Sequence, residues 1–210
     1  MAIKSKSDLF RFRVYIFDLD NTMYNEADYL FQGYAAISRF LADISDDISE
    51  TEIFCELKSR FLCEGRTGLF DKVLLKFKFD ANLVKECVRI LHSFSVEKKL
   101  ILHNDVKILL ERLIKPEKQI FILTNGNRTQ QENKINSIDW GKLRNHIRII
   151  YASDIEPKPS PAGVKKILTL AESSEAEAVF IGDSDTDRMC AMYSGIEYFD
   201  VAGLSGKTSL

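Results

Sequence analysis

Five short runs of apolar residues, rich in β-branched and aromatic side chains, recur along the chain between polar segments. Runs of this length and composition predict β-strands, here at residues 13–17, 119–123, 147–151, 178–181 and 197–201. The apolar residues follow one another without alternating with polar ones, which is typical of strands that helices cover on both faces. We therefore expect a parallel sheet in the interior.

Helical patterns lie between these strands, at residues 105–114, 160–170 and 187–194. Ser160 and Pro161 have the residue types of an N-cap and a first helical position, and Gly195 stands where the last helix should end. Strands that alternate with helices form right-handed βαβ units. The predicted fold class is α/β, a Rossmann-like parallel sheet covered by helices.

The stretch from residue 25 to residue 99 shows helical periodicity and no convincing strand. Its first helix carries five apolar residues on one face, namely Leu30, Tyr34, Ile37, Leu41 and Ile44. Ser49 and Glu52 then have the spacing of a capping box, which predicts the start of a second helix. We expect an all-helical insertion at 25–99, inserted into an α/β core formed by residues 1–24 and 100–210.

The composition excludes several classes of protein. Of 210 residues, 45% are hydrophobic and 29% charged, and the formal net charge is -2, as in ordinary globular proteins. There is no basic excess or basic stripe, so we expect no nucleic-acid partner. The apolar runs are far shorter than the roughly 18 residues that indicate a membrane span. The polar start of the sequence has no apolar signal region, so we expect a cytoplasmic protein without membrane association.

Polar residues that can carry chemistry follow the first two predicted strands. Asp18 and Asp20 come directly after the first strand, and Thr124, Asn125 and Gly126 come at the end of the second. In open α/β sheets, ligands bind beyond the carboxyl ends of the strands. The hydroxyl, amide and backbone donors of the second segment suit an anion, although a plain strand-to-helix turn has the same residue types.

Two further segments carry charge. The fourth strand runs into Asp183, Asp185 and Asp187, and three acids this close repel one another unless a cation lies among them. Asp187 also suits the N-terminus of a helix. Lys158 lies between two prolines that restrict its backbone, and taken alone it is most simply a surface lysine.

In their order along the chain, these segments resemble the four motifs of the haloacid dehalogenase-like (HAD) hydrolase superfamily. The motifs correspond to residues 17–22, 123–126, 158–159 and 182–187. The helical insertion lies where that superfamily places a helical cap. Residues 130–135 are similar to the branch that contains nucleotide 5′-phosphatases and other small-molecule phosphatases.

The resemblance implies the catalytic and metal-binding roles. Asp18 would be the nucleophile that forms an aspartyl-phosphate, and Asp20 would protonate the leaving alkoxide and later activate water. Mg²⁺ would be bound by Asp18, the backbone carbonyl of Asp20 and Asp183. Dehalogenases of the superfamily lack an acid two residues after the nucleophile, so Asp20 favours phosphoryl transfer over dehalogenation.

The resemblance also implies how the phosphate is held. Thr124, the Asn125 amide and Lys158 would contact phosphoryl oxygens, and Asp187 would orient the lysine. The implied activity is Mg²⁺-dependent hydrolysis of a small soluble phosphate monoester, either a nucleoside monophosphate or a sugar phosphate, by a monomer or a homodimer. A phosphomutase of the same superfamily and a non-catalytic phosphate-binding or scaffold protein stay open as alternatives.

Two residues outside the motifs have more than one interpretation. Arg66, in the insertion, would either contact the substrate and help to select it or lie in a solvated loop between helices. Tyr24, just past the first motif, would either stack on a base or form an aromatic hinge that packs on the helical insertion.

Overall fold

A computed structural model describes residues 6–45 and 47–205. Five strands in this part of the chain form one parallel sheet in the order β3-β2-β1-β4-β5. Their bounds are β1 Val14–Phe17, β2 Gln119–Thr124, β3 Ile147–Tyr151, β4 Ala178–Gly182 and β5 Glu197–Asp200. The predicted fold class is confirmed, and each predicted strand agrees to within one residue at either end.

The position of each strand in the sheet explains how far it is buried. The central strand β1 pairs with β2 on one side and β4 on the other and is buried along its whole length. The edge strands β3 and β5 are only partly buried, so the expectation that helices cover all the strands on both faces is wrong for them. A strand at the edge of a sheet has a neighbour on one side only.

The described chain divides into two compact units. The first, here called the sheet unit, comprises residues 6–25, 100–131 and 138–205, and the second, the helical unit, comprises 26–99 without 46 and 132–137. The α-helices outside 26–99 are α5 Asn104–Leu113, α6 Arg128–Ser137, α7 Ala162–Ala171 and α8 Asp185–Ser194. Short 3₁₀ helices lie at Lys6–Arg11, Gly141–His146, Ala152–Asp154, Glu175–Glu177 and Val201–Leu204.

Two helices of the sheet unit begin two residues away from their predicted starts. Helix α7 begins at Ala162, so its N-cap is Pro161 and the prediction of Ser160 as N-cap is off by one residue, although Oγ of Ser160 accepts a hydrogen bond of 3.3 Å from the N–H of Ala162. Helix α8 begins at Asp185 because Ser184 is its N-cap and forms a capping box with Asp187. In both cases a side chain satisfies an N–H group in the first turn.

The helical unit contains the remaining helices, α1 Glu26–Asp43, α2 Glu50–Glu64, α3 Leu69–Lys76 and α4 Leu83–Ser93. The predicted capping box is confirmed: Ser49 and Glu52 exchange hydrogen bonds at the start of α2. The prediction for Ile44 is wrong, because α1 ends at Asp43 and this side chain is 51% exposed. Gly33 permits close packing of α1 on α4, since a Cβ there would lie 2.5 Å from Cδ1 of Leu91.

Among the described residues, no helix is long and apolar enough to cross a membrane. The first five residues of the polar N-terminal segment and residues 206–210 of the predicted core lie outside the described residues.

Candidate active site

The site begins where the central strand ends. Asp18 follows β1 directly, is almost fully buried, and its N–H donates to the carbonyl of Ile181 on β4 at 2.9 Å. Asp20 is two residues further on and partly buried, and its Oδ1 accepts a hydrogen bond of 2.7 Å from the hydroxyl of Tyr24. The structure therefore fixes both carboxylates at the carboxyl edge of the sheet.

Lys158 connects the first and last predicted motifs. Its ammonium group donates to Oδ1 of Asp18 and, at 2.7 Å, to Oδ1 of Asp187. The side-chain amide of Asn125 holds the backbone of the same lysine, accepting from its N–H at 2.8 Å and donating to its carbonyl at 3.0 Å. Lys158 is buried, so its interpretation as a surface lysine is wrong.

The turn into α8 positions the other acidic side chains. The carboxylate of Asp187 accepts hydrogen bonds from the N–H and the hydroxyl of Ser184, at 3.3 Å and 2.6 Å. Gly182 makes this geometry possible, because a Cβ there would lie 2.6–2.8 Å from atoms of the Asp187 side chain. Asp183 is exposed, and its Oδ1 accepts a hydrogen bond of 3.2 Å from Oγ1 of Thr22.

The charged groups at the site shift one another's pKa, and burial shifts it further. Burial lowers the pKa of Lys158, but the carboxylates of Asp18 and Asp187 outweigh this effect and raise it overall. Burial raises the pKa of Asp18; the charge of Lys158 opposes the shift and that of Asp187 adds to it. Although Asp183 as a whole residue is exposed, the part of its side chain that is shielded from water and the charge of Asp187 raise its pKa as well. Lys158 alone does not balance the negative charge of these carboxylates.

The donor set fits a hard divalent cation. Asp18, Asp183 and Asp187 each place a carboxylate oxygen so that the three atoms lie within 4.8 Å of one another. Carboxylate oxygens are the ligands that Mg²⁺ and Ca²⁺ prefer. Both oxygens of Asp187 already accept hydrogen bonds, Oδ1 from Lys158 and Oδ2 from Ser184, whereas Asp18 accepts from Lys158 at Oδ1. Asp18 and Asp183 are the carboxylates that this cluster shares with the predicted metal ligands.

The end of β2 carries a buried polar pair. Thr124 and Gln131 are both buried, and Oγ1 of Thr124 lies 3.2 Å from Oε1 of Gln131, to which it can donate. A Cβ at residue 126 would lie only 2.7 Å from Nε2 of Gln131, so Gly126 leaves room for this side-chain amide. Gln131 thus shapes the predicted phosphate loop, a role that its place in the polar sequence of α6 does not reveal.

The helical unit contains a separate charged cluster. Lys134 donates to Oε1 of Glu26 at 2.9 Å, and Arg66 forms an ion pair with the other oxygen of the same carboxylate. Lys134 and Glu26 are buried and the Arg66 side chain is 52% exposed. Arg66 thus lies in the loop between α2 and α3, half-exposed as the solvated-loop interpretation expects, and is also held by the carboxylate of Glu26. Tyr24 does not offer an open ring face for stacking, because it is fully buried in the sheet unit.

A Rossmann-like sheet whose strand ends carry these acids and a buried lysine defines an α/β enzyme scaffold. Comparison with known proteins gives the family: the model of the haloacid dehalogenase-like hydrolases matches residues 15–201. The chain belongs to that family, as the motifs predicted, and is an enzyme of the hydrolase class.

Individual relatives agree with this assignment. The N-acylneuraminate-9-phosphatase of Mus musculus is 27% identical over an alignment of 218 positions, which covers 96% of this chain and 87% of the relative. A HAD-superfamily hydrolase from Geobacter sulfurreducens has the same fold, with a TM-score of 0.63, 21% identity and coverage of 90% and 86% of the two chains. The magnesium-bound HAD-hydrolase YfnB from Bacillus subtilis gives a TM-score of 0.56 at 20% identity, covering 90% and 87%.

Proposed function

We propose that this enzyme is a Mg²⁺-dependent phosphomonoesterase that works through an aspartyl-phosphate. The observation that carries the proposal is the contact of Lys158 with both Asp18 and Asp187 beside the exposed carboxylate of Asp183. A buried lysine next to a nucleophilic carboxylate can offset the charge of an incoming phosphate. The acids around it supply the groups that phosphoryl transfer requires.

The reaction has two steps. In the first, a carboxylate oxygen of Asp18 bonds to phosphorus, the bond to the leaving oxygen breaks, and that oxygen takes a proton from Asp20. In the second, water attacks the phosphorus of the aspartyl-phosphate and passes a proton to Asp20. The bond between phosphorus and Asp18 breaks, which releases inorganic phosphate and restores the enzyme.

The remaining residues hold the phosphate and the metal. Asp18, the carbonyl of Asp20 and Asp183 would bind Mg²⁺, which when bound neutralises charge on the phosphoryl oxygens. Thr124 and Lys158 would contact those oxygens. Because the side-chain amide of Asn125 bonds to the backbone of Lys158, we assign the phosphate contact of Asn125 to its backbone N–H.

For the substrate we propose a small soluble phosphate ester, and a sugar phosphate ahead of a nucleoside monophosphate. The relatives support this choice, because the mouse protein is named for a 9-phosphate of an acylated sugar acid. We assign residues 1–24 and 100–210 to the catalytic core and 25–99 to a cap that selects the leaving group, with Arg66 as its contact. We place the enzyme in the cytoplasm, as a monomer or a homodimer.

A phosphate-release screen tests the proposal. The full chain is incubated with MgCl₂ and with nucleoside monophosphates, hexose phosphates, phosphoglycolate and N-acetylneuraminate 9-phosphate, and parallel reactions contain EDTA. We expect release from at least one sugar phosphate and none with the chelator. Isomerisation of a sugar phosphate stimulated by its bisphosphate would identify a phosphomutase instead. Metal-dependent phosphate binding without turnover of any ester would identify a binding protein.

A further inference from the structure

Tyr24 contacts one of the two carboxylates of the first motif directly. Its ring is fully buried, and its hydroxyl donates to Oδ1 of Asp20 at 2.7 Å. Its backbone forms bridges with Asp20 and with Leu102, and the neighbouring carbonyl of Met23 accepts a hydrogen bond of 2.8 Å from the N–H of His103. All these residues belong to the sheet unit. A phenol that is fixed at both ring and backbone therefore holds a carboxylate that is itself only partly buried.

The hydrogen bond from Tyr24 can hold the carboxyl group of Asp20 in one orientation, and orientation is important for a group that donates a proton. In the ionised form, Oδ1 of Asp20 accepts the hydrogen bond from Tyr24. In the protonated form, the same bond can persist if the proton is on Oδ2, since a protonated carboxyl group keeps an acceptor oxygen. Proton transfer requires the donor oxygen to lie within hydrogen-bond distance of the leaving oxygen, and small displacements of a catalytic group are costly.

We propose that Tyr24 is a positioning residue for Asp20, which it holds in the orientation that protonates the leaving oxygen. The inference rests on the proposed function, because it assumes that Asp20 is the acid of the first step. Tyr24 does not contact the substrate and takes no proton itself. Its effect must therefore depend on how strongly the leaving group requires a proton.

Tyr24→Phe tests this through the choice of leaving group. Benzyl phosphate releases an alkoxide, which requires a proton, whereas p-nitrophenyl phosphate releases a phenolate that is stable as an anion. The ratio kcat/KM reports events up to departure of the leaving group. We expect kcat/KM for benzyl phosphate to fall about tenfold or more, part of the roughly 10²–10⁴-fold contribution of general acid catalysis. For p-nitrophenyl phosphate the loss should be under about threefold.

The matched control is Tyr15→Phe. Tyr15 is also fully buried in the sheet unit, and its hydroxyl donates to the carbonyls of Leu9 at 2.8 Å and Phe12 at 2.9 Å. The substitution therefore removes a comparable buried hydroxyl that does not contact Asp20. We expect this control to change kcat/KM for both esters by the same small factor. Equal losses on both esters in Tyr24→Phe, or no loss on either, would overturn the positioning role.

A second measurement separates this inference from the proposed function. In an Asp20→Asn background, Tyr24→Phe should cause no further loss on benzyl phosphate, because the group it positions no longer transfers a proton. An additive loss in the double variant would assign Tyr24 a purely structural role. If the wild-type enzyme hydrolyses no phosphate ester, the proposed function is overturned as well. If the wild type is active but Tyr24→Phe affects both esters equally, only the inference about Tyr24 is overturned.

Discussion

The ion pair between Lys134 and Glu26 allows a quantitative prediction of stability. Lys134 is 1% exposed and lies 2.9 Å from the carboxylate of Glu26, with the ring of Tyr29 5.3 Å from its ammonium group. Glu26→Gln removes the charge of the partner and leaves the shape nearly unchanged. Loss of one member of a buried pair costs about 3–5 kcal/mol, because the other charge is left without compensation.

Urea titrations of wild type and Glu26→Gln at pH 7 measure the difference in their free energies of unfolding. We expect the variant to lose about 3–5 kcal/mol, because the buried ammonium group of Lys134 keeps its place but loses the carboxylate that balances its charge.

Two comparisons identify the cause. Lys134→Met should cost less than half as much as Glu26→Gln, because Glu26 keeps its ion pair with the half-exposed Arg66. Glu56→Gln makes the same chemical change in the same unit. The partners of Glu56 are Arg60 and Lys76, which are both far more exposed than Lys134, so this variant should cost about 1 kcal/mol or less. A loss of stability in Glu26→Gln no larger than that in Glu56→Gln would contradict the assignment of the effect to the buried ion pair.

Three further predictions concern activity. Asp18→Asn should lower turnover by orders of magnitude while the unfolding midpoint shows a folded protein; near-normal rates would exclude the covalent mechanism. Asp183→Ala should abolish Mg²⁺-dependent phosphate release, whereas Asp185→Ala, whose wild-type side chain is 94% exposed, should not; activity that survives EDTA would contradict the metal site. Arg66→Ala should reduce kcat/KM for the preferred substrate about tenfold or more, because a contact to a charged group is lost. The reduction of kcat/KM for p-nitrophenyl phosphate should be much smaller, and equal losses on both substrates would argue against a role of Arg66 in substrate selection.

The strands could be predicted because burial determines both their composition and their ends. In β1 every residue is apolar and buried, and Asp18 marks the point where the strand reaches the edge of the sheet. The carboxyl ends of parallel strands meet at one edge, so the grouping of Asp18 with Asp183 and Asp187 follows from the topology. The partial exposure of the edge strands could not be predicted, since their order in the sheet is not a local property of the sequence.

Helix α6 shows why other parts of the molecule could not be predicted. Its sequence from Arg128 to Ser137 is polar and has no amphipathic stripe, although Asn127 caps its N-terminus by accepting from the N–H of Gln130 at 3.1 Å. Lys134 is nonetheless buried, because its counter-charge is Glu26, 108 residues earlier in the chain. Hydrophobic periodicity does not distinguish a buried lysine from an exposed one, so the ion pair of Lys134 with Glu26 could not be predicted from the sequence.

The balance of charge at the sheet edge explains why metal removal should affect binding as well as turnover. Ionised Asp18, Asp183 and Asp187 carry three negative charges, and the ammonium group of Lys158 offsets one of them. A phosphate dianion would add two more charges of the same sign in a partly buried site, where like charges repel more strongly than in water. Lys158 cannot balance such a complex, because both of its acidic partners are already bound to it. A divalent cation held by Asp18 and Asp183 would supply two positive charges, as many as the phosphate dianion adds in negative charge. Under the proposed mechanism, phosphate binding would therefore depend on the metal as well.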